Sequence, residues 1–433
     1  MFPSRALACA LSVLIASGSA GLAGNAFAQS TKRAAPARSL TLTDALQRAL
    51  AANPRLTAAE RDLGVALGRQ VQAGAIPNPE LSIELDNSFG SGAYRGTRSA
   101  ESTVQLSQLI ELGGKRGARI AAGAAGYDAA HWERSAVRLE IVSETAVAFV
   151  NLLGAQRRVQ IFDVQIERLQ QLTPLLQKRI DAGASSPADI ARAEVAADLA
   201  RADRARAKVS VATARRELAA LMGKTAPDFP AVSGDLLRVG RPPAFQTVLG
   251  AVEANPQLMR WTAVRAQRNA ELLSARLKSV PDVRVGVGWR NFQDSGDNAV
   301  RLNVAIPLPV WDQNQGGILE ARESLAKTDA ERAINRTALI RLLGRAHDTI
   351  GGALEEISIL QRSAIPKSRQ ALETIESGYA QGRFTLLDLL DVQSAAAQAA
   401  LRELDALVIF HTAVATMEGL TGSPLTLSRG GVR

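Results

Sequence analysis

Two hydrophobic periods alternate along this chain. In Glu80–Asp86, ELSIELD, residues Leu81, Ile83 and Leu85 fall on one side, and Ser82, Glu84 and Asp86 on the other. STVQLSQL, Ser102–Leu109, sets Val104 and Leu106 opposite Thr103, Gln105 and Ser107. DVRVGVGW (Asp282–Trp289) and AVRLNVAI (Ala299–Ile306) repeat the pattern, with Arg284, Arg301 and Asn303 on the polar side. A period of two is the signature of a strand with one apolar face. It predicts strands at about 79–90, 100–110, 281–292 and 298–307, bounded by proline and by Gly/Ser/Asn/Asp loops.

Elsewhere the period is three to four, as in Leu386, Leu389, Leu390 and Val392. One helix is predicted from Lys115 toward a glycine turn at Gly183, a path of roughly 100 Å at 1.5 Å per residue. A second runs from Gly317 to Tyr379, toward a turn at Gly382. The return arms are Pro187 to Met222 and Thr385 to Leu420. Pro174 and Pro366 are expected to kink or divide the long arms. Helices this long and alanine-rich must bury their stripes on neighbours, as in coiled coils.

The pattern is written twice. IDAGASSPADIARAE (Ile180–Glu194) and YAQGRFTLLDLLDVQ (Tyr379–Gln393) share a frame, with Gly183 over Gly382 and Asp189 over Asp388. ALAANPRL (Ala49–Leu56) answers AVEANPQL (Ala251–Leu258), and LAALMG (Leu218–Gly223) answers MEGLTG (Met417–Gly422). A period near 200 residues is too long for a solenoid unit and reads as a duplicated half. The expected division is 1–28, 29–39, a first repeat over 40–230 and a second over 231–433.

The first of these segments reads as a secretory signal, with Arg5, an apolar run Ala6–Ala16 and an Ala26-Phe27-Ala28 cleavage site. The only cysteine, Cys9, lies inside it, so the processed chain is expected to carry no thiol, disulfide or lipid anchor. No later run of eighteen apolar residues predicts a membrane helix. The net charge is +9, but bases and acids interleave and no basic block is mixed with aromatics, which argues against nucleic acid as a partner. Among candidates for chemistry, His131, His347 and His411 stand far apart, and HExxH, CxxC and phosphate-loop motifs are absent. No enzyme activity, cofactor or metal site is expected.

Four strands of this length fit either of two arrangements. They make hairpins on a soluble core, or they span a membrane. Single-chain barrels begin at about eight strands, and an open edge does not survive in lipid. A membrane reading therefore requires several chains to pool their strands.

LTLTDALQRALAANPRL at the start, IPNPELSIELDNSFGSG entering the first strand and LSQLIELGGKRGAR leaving the second carry a family resemblance. IPLPVWDQNQGG, Ile306–Gly317, leaves the fourth strand, and the twin turns complete the set. Together they resemble the TolC family of outer-membrane efflux proteins, in particular its heavy-metal branch of the CzcC and CusC type. The resemblance implies an α+β membrane channel built as a homotrimer. Its twelve-stranded barrel would sit in outer-membrane lipid, and a tube of α-helical hairpins would cross the periplasm. The turns would form the tip that meets a periplasmic adaptor, which joins the tube to an inner-membrane pump of the RND type. Contact residues expected there are Gly183, Ser185, Pro187, Asp189, Gly382, Phe384, Thr385 and Leu386. Glu84, Asp86, Arg284, Arg301 and Asn303 would face the barrel lumen.

Asp189 and Asp388 lie in the first turns of the returning helices, where a carboxylate suits the positive helix end. Ser185 or Ser186, and Thr385, are the candidate caps. Asp388 and Asp391, three apart, share a helix face. The family resemblance places acids at these two positions in a narrow periplasmic entrance, with Arg383 as a candidate basic partner. Rings of acid select cations. A solvated helix face is the plainer account of the same pair. The expected function is a passive exit duct for heavy-metal cations. The alternatives are the same duct for drugs, organic compounds or a secreted polypeptide, and a periplasmic coiled-coil scaffold.

Overall fold

The computed structural model describes residues 39–425 and 427. The signal segment 1–28, Cys9 and all but one residue of 29–39 lie outside the described residues.

The first stretch runs α1 (Leu42–Ala52), α2 (Pro54–Ala73), β1 (Glu80–Asp86), β2 (Glu101–Ile110), α3 (Lys115–Asp181) and α4 (Pro187–Leu221). The second runs α5 (Phe245–Val252), α6 (Pro256–Leu277), β3 (Val283–Phe292), β4 (Asn298–Ala305), α7 (Gln315–Ile359), α8 (Ile365–Ala380) and α9 (Leu386–Thr421). The 67 residues of α3 make a rod about 100 Å long.

Sequence dictates where these helices start. Asn53 and Asn255 each precede a proline and cap the following helix, accepting from Arg55 N at 2.9 Å and Gln257 N at 2.8 Å. Proline then occupies a position whose amide has no helical acceptor in any case. Both asparagines are buried, and each side-chain amide donates to the end of a returning helix: Asn53 to Leu221 O at 2.9 Å, Asn255 to Leu420 O at 2.8 Å. One residue thus starts one helix and ties down the end of another.

The two prolines behave differently. Pro366 follows a π-helical turn, Leu360–Ala364, which divides the arm into α7 and α8 as expected. Pro174 divides nothing, and α3 continues through it. Leu172 and Leu176 on either side are buried in a cluster with Leu372 and Tyr379, so packing carries the helix past a missing hydrogen bond.

The main core lies where α1, α3, α4, α7 and α9 meet, around Ile141, Leu152, Leu218, Leu343, Ile350 and Phe410. Close approach is decisive at Gly154, where a Cβ would sit 2.4 Å from Val408 Cγ2. By length and composition α9 is apolar enough to cross a membrane. Its Leu404, Leu407, Phe410, Val414 and Met417 are instead buried against neighbouring helices.

The segment between α4 and α5 is strapped onto this core. Its Val232 pairs with Leu40 in an isolated parallel bridge. Gln156 Oε1 accepts from Val232 N at 3.1 Å, and His411 Nε2 lies 2.9 Å from Leu236 O. A carbonyl only accepts, so His411 Nε2 carries the proton. Burial pushes the His411 pKa down from its ordinary value.

The four strands form one antiparallel sheet in the order β1-β2-β3-β4. Glu80 stands opposite Ser107, Ser107 opposite Gly286, and Gly286 opposite Asn303. All four junctions with helices therefore leave from one end of the sheet. Lys115 holds Asp282 there at 2.8 Å, and Arg119 pairs with Glu111. β1 is shorter than expected, because Asn87 and Phe89 adopt positive φ and turn the chain out of the ladder.

Candidate functional site

The sheet is inside out for a protein in water. Ile83 is 74% exposed and Leu302 79%, whereas Thr103, on the polar side, is 1% exposed. Across β1–β4, twelve large apolar side chains on one face are at least 40% exposed. At about 1 kcal/mol for each half-exposed side chain, water contact forfeits on the order of 12 kcal/mol, comparable to the whole net stability of a domain. This face requires a cover.

The opposite face is polar and internally paired. Arg301 reaches Glu84 at 3.3 Å, Arg290 reaches Glu101 at 2.8 Å and Asp86 at 3.7 Å, and Arg284 pairs with Glu80. Arg290 Nε also donates to Thr103 Oγ1 at 2.9 Å. Glu84, Asp86, Arg284, Arg301 and Asn303 all lie on this one face, as the alternation predicts. Arg290, Glu80 and Glu101 belong to the same network and share the same parity; the sequence reading passed them over.

The helical hairpins end in two turns of one design. Gly183 has φ +69° and Gly382 φ +77°, a region open to glycine. Ala184 N donates to Arg179 O at 2.7 Å, and Arg383 N donates to Gly378 O at 2.8 Å, closing both helix ends in the same way. Ser186, not Ser185, caps α4, and its amide donates back to Asp189 at 3.2 Å. Thr385 caps α9, donating to Asp388 through its amide at 2.9 Å and its hydroxyl at 2.7 Å. Pro187 is the first residue of α4. Phe384 lies over Gly378, where a Cβ would come within 2.4 Å of the ring, and Leu386 is buried.

Asp388 and Asp391 differ in what they can do. The Thr385 hydroxyl, then the Thr385 amide, hold the Asp388 carboxyl below the usual carboxylate range. Asp388 is thus engaged as a capping-box acid. Asp391 is exposed and makes no hydrogen bond or ion pair with any described residue, nor does the Arg383 side chain. On α9 Asp391 points about 160° away from the buried Gln393.

A clasp joins the two hairpins beside their turns. Arg179 of α3 stacks its guanidinium 4.7 Å from the Tyr379 ring centroid and donates to Tyr379 O at 2.6 Å. Tyr379, Leu386 and Leu389 share a buried cluster with Leu169, Leu172 and Leu176 of α3. The only sequence signal for this clasp is an aromatic residue on the apolar stripe of α8.

The model of a family described as outer membrane efflux protein matches residues 45–224 and again 250–423. The chain belongs to the outer membrane efflux protein family. Within it, the chain is 31% identical over 383 residues to the cobalt-zinc-cadmium resistance protein CzcC of Cupriavidus metallidurans, covering 88% of this chain and 90% of that one. It is 25% identical over 285 residues to the nickel-cobalt-cadmium resistance protein NccC of Alcaligenes xylosoxydans xylosoxydans, covering 66% of this chain and 64% of that one. The fold matches a crystal structure of CusC with a TM-score of 0.76 at 19% identity, over 89% of this chain and 93% of that one. The chain is thus an efflux protein of the outer membrane. Among the described residues, no three histidine, cysteine, aspartate or glutamate side chains converge to hold a metal ion.

Proposed function

We propose that three copies of this chain pool their sheets into a twelve-stranded barrel that serves as a passive exit duct for heavy-metal cations. The observation that carries this reading is the sheet itself. Its apolar face is exposed, while β1 and β4 are unpaired edges. Lipid covers the face and a neighbour's strand covers each edge, so several copies must pool their sheets, and the family resemblance supplies the number three. The paired polar face then lines the lumen, and the helical hairpins form a tube reaching about 100 Å from the sheet. The matching turns and matching Asn-Pro caps support descent of the two halves from one duplicated unit.

Gly183 and Gly382, with their neighbours, form the free tip in this reading. That tip meets the periplasmic adaptor, and the adaptor links the tube to an RND pump in the inner membrane. Asp391, with Asp388 below it, faces the threefold axis as an acidic entrance. Likeness to CzcC and NccC supports divalent metal cations as cargo.

The direct test is deletion of the gene, with tolerance scored for cobalt, zinc, cadmium, nickel, copper and silver beside a drug panel. Lost metal tolerance is expected. Unchanged metal tolerance with lost drug tolerance would overturn the choice of cargo. Protein found wholly in the soluble fraction would overturn the duct.

A further inference from the structure

We propose that Arg284, Arg290 and Arg301 mask the carboxylates of the sheet's polar face, so that a divalent cation passes the barrel without being captured there. This rests on the duct reading above. A threefold ring of glutamates around a narrow lumen is a hard-oxygen site for divalent cations. The polar face carries four such acids per chain, Glu80, Glu84 and Asp86 on β1 and Glu101 on β2. Every one has a guanidinium partner from β3 or β4, at 3.3 Å for Glu84, 3.7 Å for Asp86 and 2.8 Å for Glu101, with Glu80 held by Arg284. Arginine stays charged at any relevant pH, so the mask does not titrate.

The backbone is adapted to this pairing. Arg301 on β4 must cross β3 and β2 to reach Glu84 on β1. Its own opposite residue on β3 is Gly288, where an added Cβ would stand 3.1 Å from Gln105 Cβ, so β3 raises no side chain beside Arg301 at the start of the crossing. Asp391 presents the contrast, an exposed acid with no partner among the described residues. Three arginines against four acids leave one net negative charge per chain on the polar face, with Arg290 shared between Asp86 and Glu101, so the pairing weakens the attraction for cations and leaves no acid of that face without a partner.

The test is zinc block of single channels in planar bilayers, with zinc added on the barrel side. Removing one positive charge from each of three chains, with each charge taken at about one Debye length (~8 Å) from a cation on the axis, is expected to lower the blocking concentration about five- to tenfold. Arg301→Gln and Arg284→Gln are each expected to show this. The doubles Arg301→Gln/Glu84→Gln and Arg284→Gln/Glu80→Gln are expected to return to the wild-type value. Should one pair fail to assemble, the other decides. Single variants that conduct but block at the wild-type zinc concentration would overturn the mask and leave the duct standing. Doubles as sensitive as the singles would also overturn it. A wild-type protein that does not conduct would overturn the duct and the mask together.

Discussion

Leu302→Arg puts the lipid-facing reading of the sheet at risk. Leu302 is 79% exposed near the middle of β4, between Val300 at 73% and Val304 at 63%. Its opposite residue on β3 is Val287, which is also exposed. An arginine on the lipid face costs about 2–4 kcal/mol near the bilayer midplane, so a trimer bears about 6–12 kcal/mol. The lower figure already shifts assembly by about four orders of magnitude. Asn303→Arg supplies the control, with the same added charge one residue along and on the opposite face. In outer-membrane fractions run with and without heating, the Leu302 variant is expected to lose its heat-modifiable trimer band. The Asn303 variant is expected to keep it. If water covers this face, Leu302→Arg removes an exposed apolar group and does no harm. Equal trimer from the two variants would refute the reasoning.

Other expected outcomes follow from single residues. Asn255→Ala removes a helix cap and strands Leu420 O, at a cost of about 2–3 kcal/mol, seen as a lower melting temperature in detergent; Asn255→Asp keeps the cap acceptor but sets a buried carboxylate oxygen against Leu420 O, and should lose at least as much. Asp388→Ala/Asp391→Ala should weaken block of the reconstituted pore by multivalent cations added on the tip side. Asp391→Ala alone should give only part of that effect, since Asp388 stays ionised while it accepts from the neutral groups of Thr385. His411 has a lowered pKa, so its unfolded state binds the proton first. Its contribution to stability is present above the ordinary histidine range and is lost as pH falls through it toward the folded value. Protease cleavage in the strap near Leu236 should accelerate over that interval, and His411→Gln should flatten the dependence.

Parity alone made the sheet legible. Alternation assigned Leu81, Ile83, Val285 and Leu302 to one face and Glu84, Arg284 and Arg301 to the other, because a strand has only two faces. It overran the end of β1, since the positive φ at Asn87 and Phe89 is a tertiary choice that composition does not dictate. The twin turns were readable because glycine and a capping acid do local work over a few residues. Pro174 misled for the opposite reason. Its local cost was correctly anticipated, but the packing of Leu172 and Leu176 onto another hairpin outweighs it. The Arg179–Tyr379 clasp and the arginine–carboxylate pairs join residues some 200 positions apart. Pairwise geometry of that kind emerges only once strand order and hairpin contact are known.

The central claim is that β4 of one chain is hydrogen-bonded to β1 of the next around a threefold axis. A structure of the assembly extracted from outer membrane tests this most directly. Twelve strands closed into a barrel, with Leu302 and Ile83 facing detergent and Arg301 facing the lumen, is the predicted result. A monomer whose β1 and β4 edges both stand open, with its apolar face covered by its own chain, would contradict it.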